Sequence, residues 1–140
     1  MSFPIKLSIS RSLSKKIRNS GIYNICFVDY DPDIGSYLKF VLNKRSTLYR
    51  QIEKVPDFLA DILLLAKDTK EIVLKDGRSL ILIGLLTETP PRLILIETIR
   101  ASREDAFNIL NNLLEVLKNL RKEEIEHSDF ITALTHVFEG

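Results

Sequence analysis

The chain is poor in the residues that build covalent and metal-centred scaffolds. It has one cysteine, Cys26, and two histidines among 140 residues. An intramolecular disulfide and a four-cysteine zinc site are therefore impossible, and a reducing cytoplasmic setting is the simplest expectation. Tryptophan is absent, and the five glycines lie at positions 21, 35, 77, 84 and 140, too scattered to form a glycine-rich loop around phosphates. Neither G-x-x-x-x-G-K-[ST] nor a G-x-S-x-G elbow occurs, so the chain does not read as a GTPase or as a serine hydrolase. No apolar run reaches the roughly 18 to 20 residues that cross a bilayer, and no membrane span is expected. Acidic residues are missing ahead of Asp29, although Lys6, Arg11, Lys15, Lys16 and Arg18 all fall there.

What is present is the balance of a globular protein: 45% apolar and 28% charged residues, with 20 Lys+Arg against 19 Asp+Glu. A net charge of +1 supplies no global attraction for nucleic acid. The length suits one domain over 1–140. The basic, serine-containing start looks superficially like a transit peptide or a membrane-surface helix. Ile9, Leu13 and Ile17 nevertheless recur every four residues ahead of Gly21, as in a short helix that packs on a core and stops at glycine.

After Gly21, two β-rich runs, "IYNICFVDYD" and "SYLKFVLN", flank a Pro32, Asp33, Gly35 turn and predict a hairpin. Residues 44–54 are polar and read as a loop or an irregular helical turn. Pro56 and Asp57 then open a second helix, "VPDFLADILLLAKD". Asp76-Gly77 divides "EIVLKDGRSLILIGLL" into a second hairpin, and "RLILIETIR" adds a third strand to form a meander. Ser102 and Asp105 make a capping box ahead of a long helix to about Glu124, marked by Ala106, Leu110, Leu113 and Leu117. Ser128 or Asp129 caps a short amphipathic helix at about 128–138.

The strands of the meander are apolar on both faces, so a layer must cover each. The expectation is an α+β, three-layer domain with a five-stranded antiparallel sheet. The second helix covers one face, and the first and last long helices cover the other. On the second helix Phe58, Leu59, Ile62, Leu63, Leu65 and Ala66 span more than half of the circumference, wider than one sheet can cover. The remaining stripe carries Asp57, Asp61 and Asp68 with Leu64 in its middle. An isolated exposed leucine is ordinary, but with so wide a face it points to contact with another chain.

The element order, the "VDYDPDIG" hairpin turn, "EIVLKDGRSLILIGLL" and "RLILIETIRASREDAF" resemble a roadblock (dynein light-chain type) domain over about residues 8 to 122. The longin domain is a close alternative, without a helix before the first strand. Asn24 stands where the family often has a small glycine, and the helix around Phe130 to Phe138 lies outside the family's common core. The resemblance implies a non-enzymatic dimer, with itself or with a paralogous subunit, in which the second helices pack together and the sheets join edge to edge. It also implies an adaptor or regulator of a small Ras-like GTPase, in some members stimulating GTP hydrolysis. On this chain the seam maps to Phe58, Leu59, Ile62, Leu63, Ala66, Ile72 and Leu74. Asp57, Asp61 and Leu64 are candidate partner contacts. Phe130, Leu134 and Phe138 of the final helix are a second candidate, because amphipathic helices dock readily in grooves; the competing reading docks that helix on its own domain.

Other chemistries match less well. Asp29-x-Asp31 after an apolar strand is the placement of a phosphatase nucleophile and general acid, but Asp33 departs from that pattern, and a polar turn accounts for all three acids. As a calcium loop, Asp29, Asp31 and Asp33 fit the first ligand positions, while Ile34 and Phe40 stand where glycine and glutamate are needed. His127 and His136 have no third ligand nearby in sequence and read as solvent-facing. No catalytic residue, metal or cofactor is assigned. The runner-up function is single-stranded nucleic-acid binding by Lys15, Lys16, Arg18, Lys44, Arg45 and Arg50, with Tyr37 and Tyr49 for stacking.

Overall fold

The structure is a computed structural model. It describes the backbone of residues 3–68, 71–76 and 79–140, and the side chains of these except 67, 68, 71–76 and 79. The elements run β1 (Ile5–Lys6), α1 (Arg11–Asn19), β2 (Ile22–Asp31), β3 (Gly35–Val41), α2 (Thr47–Lys54), α3 (Phe58–Asp68), β4 (Glu71–Asp76), β5 (Ser79–Glu88), β6 (Pro91–Thr98), α4 (Arg103–Asn119) and α5 (His127–Glu139). The strands form one sheet in the order β1-β3-β2-β6-β5-β4. The α+β, three-layer arrangement expected from the sequence is the observed one. One feature of the sheet is corrected: β1, two residues long, joins β3 in parallel, so the sheet is mixed and gains a sixth strand. So short a run carries no alternating pattern from which a strand can be read.

Strand alternation sorts the core into two halves. Ile25 and Phe27 of β2, Phe40 of β3, Leu82 of β5 and Ile94 and Ile96 of β6 face α1, α4 and α5. Cys26, Val28, Leu38, Val41, Ile81, Ile83, Leu93 and Leu95 face α2 and α3. This is why both sets of meander side chains are apolar.

On the first face, Phe27, Phe40 and Phe130 stand at centroid separations of 5.6 to 5.8 Å. Each such pair adds about 0.5–1.5 kcal/mol beyond its area burial. The His127 ring meets Phe40 edge-on at 5.9 Å, and its Nε2 accepts a hydrogen bond from the Ser8 amide at 3.2 Å. It is half-buried rather than solvent-facing. Two glycines allow close approach. Gly21 sits at φ +86°, and a Cβ there would run into the Ala101 backbone. At Gly84 a Cβ would lie 2.7 Å from Leu114 Cδ1 and 2.9 Å from Leu110 Cδ1, so α4 rests directly on β5.

Three boundaries differ from expectation. The polar stretch before Pro56 contains α2, capped by Ser46, whose Oγ accepts from the Tyr49 amide at 3.1 Å. Leu48 is fully buried and Ile52, four residues on, packs beside it, too sparse a pattern to stand out among charged neighbours. The long helix ends at Asn119 rather than near Glu124, because Arg121 takes the left-handed conformation (φ 53°) that halts a helix. The last helix begins at His127 after an N-cap at Glu126, whose amide donates to Asp129 Oδ2 at 2.9 Å. Asp129 thus serves inside the first turn and not as the cap.

The connection between α4 and α5 is tied to the sheet by two buried cations. Arg92 donates from Nη1 to the Glu123 carbonyl at 2.6 Å and from Nε to Thr87 Oγ1 at 3.1 Å. Lys39, the extra residue where a bulge interrupts the β2–β3 register, places Nζ 3.5 Å from Asp29 Oδ2 and 3.7 Å from Glu124 Oε1.

Candidate functional site

Helix α3 starts behind Pro56 and lies across the second face of the sheet. Among its described side chains only Ile62 and Ala66 are fully buried beneath it, while Phe58, Leu59 and Leu63 are half-buried at its flanks. The outward side consists of Asp57, Ala60, Asp61, Leu64 and Leu65, whose spacing of three, four, seven and eight residues is that of one helical face. Leu64 is 62% exposed and Leu65 45%. Ala60, one turn earlier, adds no bulk, and the two aspartates edge the patch. Beside it a cleft of about 220 Å³ opens between Leu63 and the β5–β6 turn, lined by Leu85, Glu88, Thr89 and Pro91. Strand β4 forms the sheet edge next to α3 and pairs only with β5.

The site expected from sequence is therefore partly rearranged. Ile62 and Ala66 face the sheet and are not presented to a second chain; Phe58, Leu59 and Leu63 are shared between core and surface. Leu64, Asp57 and Asp61 are exposed together as anticipated, and Leu65 joins them. Periodicity could not separate Leu65 from Ile62, since both lie on the broad apolar arc. The side chains of Ile72 and Leu74 lie outside the described residues, as do Gly77 of the hairpin turn and the side chain of Asp68.

Phe130 and Leu134 are corrected outright as partner contacts: both are wholly buried in the aromatic half of the core, with Phe138 half-buried against it. The competing reading holds, and α5 docks on its own domain. Its first turn is reinforced electrostatically. Lys122 Nζ donates to Asp129 Oδ2 at 2.8 Å, and that bond, with the Glu126 amide, holds the Asp129 carboxyl below its ordinary range while raising the lysine.

The aspartates at the end of β2 make contacts within the fold. Asp29 is buried; its Oδ1 accepts from the Tyr30 amide at 2.8 Å, and its other oxygen faces Lys39. Asp31 Oδ1 accepts from the amides of Asp33 at 2.8 Å and Ile34 at 3.3 Å, closing the turn. Each carboxylate thus has an oxygen engaged within the fold. Among the described residues no group of three His, Cys, Asp or Glu is arranged to hold a metal. Burial, and then the charge of Glu97, push the Cys26 thiol far above its ordinary range, which makes it a poor nucleophile.

Of the six cations of the runner-up reading, Lys15, Lys16 and Arg50 are not among the residues lining the groove that Arg18, Lys44 and Arg45 share. Lys16 pairs with Glu139 at 3.9 Å. Tyr49 is engaged by Glu53, which with burial raises its phenol to about 12. Tyr37 packs against Phe3 with ring centroids 5.0 Å apart. Arg18, Lys44 and Arg45 are brought together, joined by Lys6 and Arg11, which the sequence reading had not included. No described helix is long and apolar enough to cross a membrane. Comparison with known protein families finds no match, nor does comparison with curated proteins.

Proposed function

We propose that the protein is a non-enzymatic, cytoplasmic adaptor that dimerises through the outward face of α3 and in that form holds a small Ras-like GTPase. The observation that carries the dimer is the pair of adjacent exposed leucines, Leu64 and Leu65, on a helix whose opposite side already fills the core. The occupant is a second copy of the same fold: Ala60 lets two α3 helices approach closely, and the β4 edge beside α3 extends the contact into backbone pairing. It is the likeness of the element order to roadblock domains that points to a GTPase as the partner. The same reading extends to acceleration of the partner's GTP hydrolysis.

Sedimentation velocity tests the dimer. The unmodified chain is expected to sediment as a dimer, and Leu64→Asp with Leu65→Asp as a monomer of unchanged circular dichroism, since a charge on that seam would be buried without a partner. Phe58→Asp and Leu63→Asp are poorer probes, because both side chains also pack on the sheet. A well-folded monomer at high concentration overturns the dimer. Failure of the dimer to retain any GTP- or GDP-loaded Ras-like GTPase overturns the partner while leaving the dimer intact.

A further inference from the structure

A groove of about 960 Å³ separates α1 from the turn between β3 and α2. One bank is Lys6, at the end of β1, and the stripe Arg11, Ser14 and Arg18, three and four residues apart and so on one face of α1. The other bank is Lys44 and Arg45. All five cations are exposed, no carboxylate lines the groove, and among the described residues none of the five forms an ion pair. Nothing described within the molecule neutralises this concentration of charge, although the chain as a whole is nearly neutral.

The groove is also held in shape. Asn24, fully buried in β2, accepts from the Asn43 amide at 2.8 Å and donates to the Asn43 carbonyl at 3.0 Å and to Ser46 Oγ at 2.6 Å. Asn43 Oδ1 in turn accepts from the Arg45 amide at 2.9 Å. A core polar residue thus fixes the turn that presents Lys44 and Arg45. Between the banks Ile17 and Ile22 form an apolar floor, and Tyr23, 37% exposed, adds an aromatic ring.

We infer that this groove binds a single strand of nucleic acid, its phosphates along the two basic banks and a base on Tyr23. Arg11 and Arg18 are about 10 Å apart along the helix axis, a spread that suits an extended polyanion better than one compact polyphosphate. The concave, partly apolar floor suits stacked bases, whereas a flat bilayer surface cannot follow it. The α3 face lies on the opposite side of the sheet from α1, so this inference is independent of the proposed dimer.

Fluorescence anisotropy with a labelled, mixed-sequence single-stranded oligodeoxynucleotide tests it. Binding is expected to weaken with salt, the logarithmic slope approaching about −3.5 if all five cations engage phosphates at about −0.7 each. Lys44→Glu with Arg45→Glu is expected to lower affinity at least about tenfold and to flatten the slope by about 1.4. Tyr23→Ala is expected to lower affinity about tenfold with the slope unchanged. Should the double variant lose its circular dichroism, Arg18→Gln replaces it, with a slope flattened by about 0.7. The inference is overturned by absence of binding at low salt, by binding indifferent to these substitutions, or by groove-dependent sedimentation with phosphatidylserine vesicles in place of oligonucleotide binding.

Discussion

On the face covered by α1, α4 and α5, the rings of Phe27, Phe40 and Phe130 are wholly enclosed; on the opposite face α3 encloses Ile62 and Ala66 yet leaves Leu64 and Leu65 in solvent. The difference begins in helix length. Helices of 9, 17 and 13 residues share the first face, while 8 and 11 residues share the second. Buried cations tie down the α4–α5 connection on the first side, and no comparable tie over α3 is seen among the described residues. One side is finished as a core within the chain. The other is closed toward the sheet and leaves two leucines of α3 in solvent, the observation on which the proposed dimer rests.

The contrast can be broken most severely at Phe130. Phe130→Ala empties one corner of the aromatic triangle and is expected to cost about 3–5 kcal/mol in denaturant unfolding. Asn24→Ala comes next, at about 1–3 kcal/mol, because it removes the hydrogen bonds to the buried Ser46 and the half-buried Asn43 backbone. The same substitution is expected to loosen the turn bearing Lys44 and Arg45. Leu65→Ala, by contrast, is expected to alter the stability of the monomer by no more than about 0.5 kcal/mol while weakening self-association, both read from unfolding at several protein concentrations. A comparable monomer loss at Leu65 and Phe130 would erase the distinction between the two faces.

The smallest effect concerns α2, on the second face. The Glu53 hydrogen bond raises the Tyr49 phenol from 10.0 to about 12. A group whose pKa is raised by folding contributes stability that is fully present below its unfolded value and is lost as pH rises through the folded one. The contribution of Tyr49 is therefore expected to persist at neutral pH and to fade between about 10 and 12. The difference in phenolate absorbance between the unmodified chain and Tyr49→Phe should show that late titration, and Glu53→Gln should move it back toward 10.

Much of this architecture was legible in residue order. Apolar residues on both faces of β5 and β6 announced a sheet covered on both sides, Ser102 with Asp105 marked the start of α4, and Leu13 and Ile17 marked the buried side of α1. The elements that escaped were those with little local pattern: the two-residue β1, and α2 with Leu48 and Ile52 alone among polar neighbours. The candidate surface was half legible. The excess of apolar residues on α3 was plain, but Ile62 and Ala66 were placed with the wrong neighbours. The groove was harder still, because its cations come from β1, α1 and the turn before α2 and meet only when β1 adds to the edge of β3.

Taken alone, residue order determined the periodicities, the caps and the surplus of apolar surface on the third helix, since each depends on neighbours within a turn or two along the chain. Tertiary structure decided which arc of that helix meets the sheet, where Arg121 stops α4, and which distant lysines and arginines share a groove. Those outcomes depend on the relative placement of whole elements, and that placement is set by how two cores pack around one sheet rather than by any short stretch of residues.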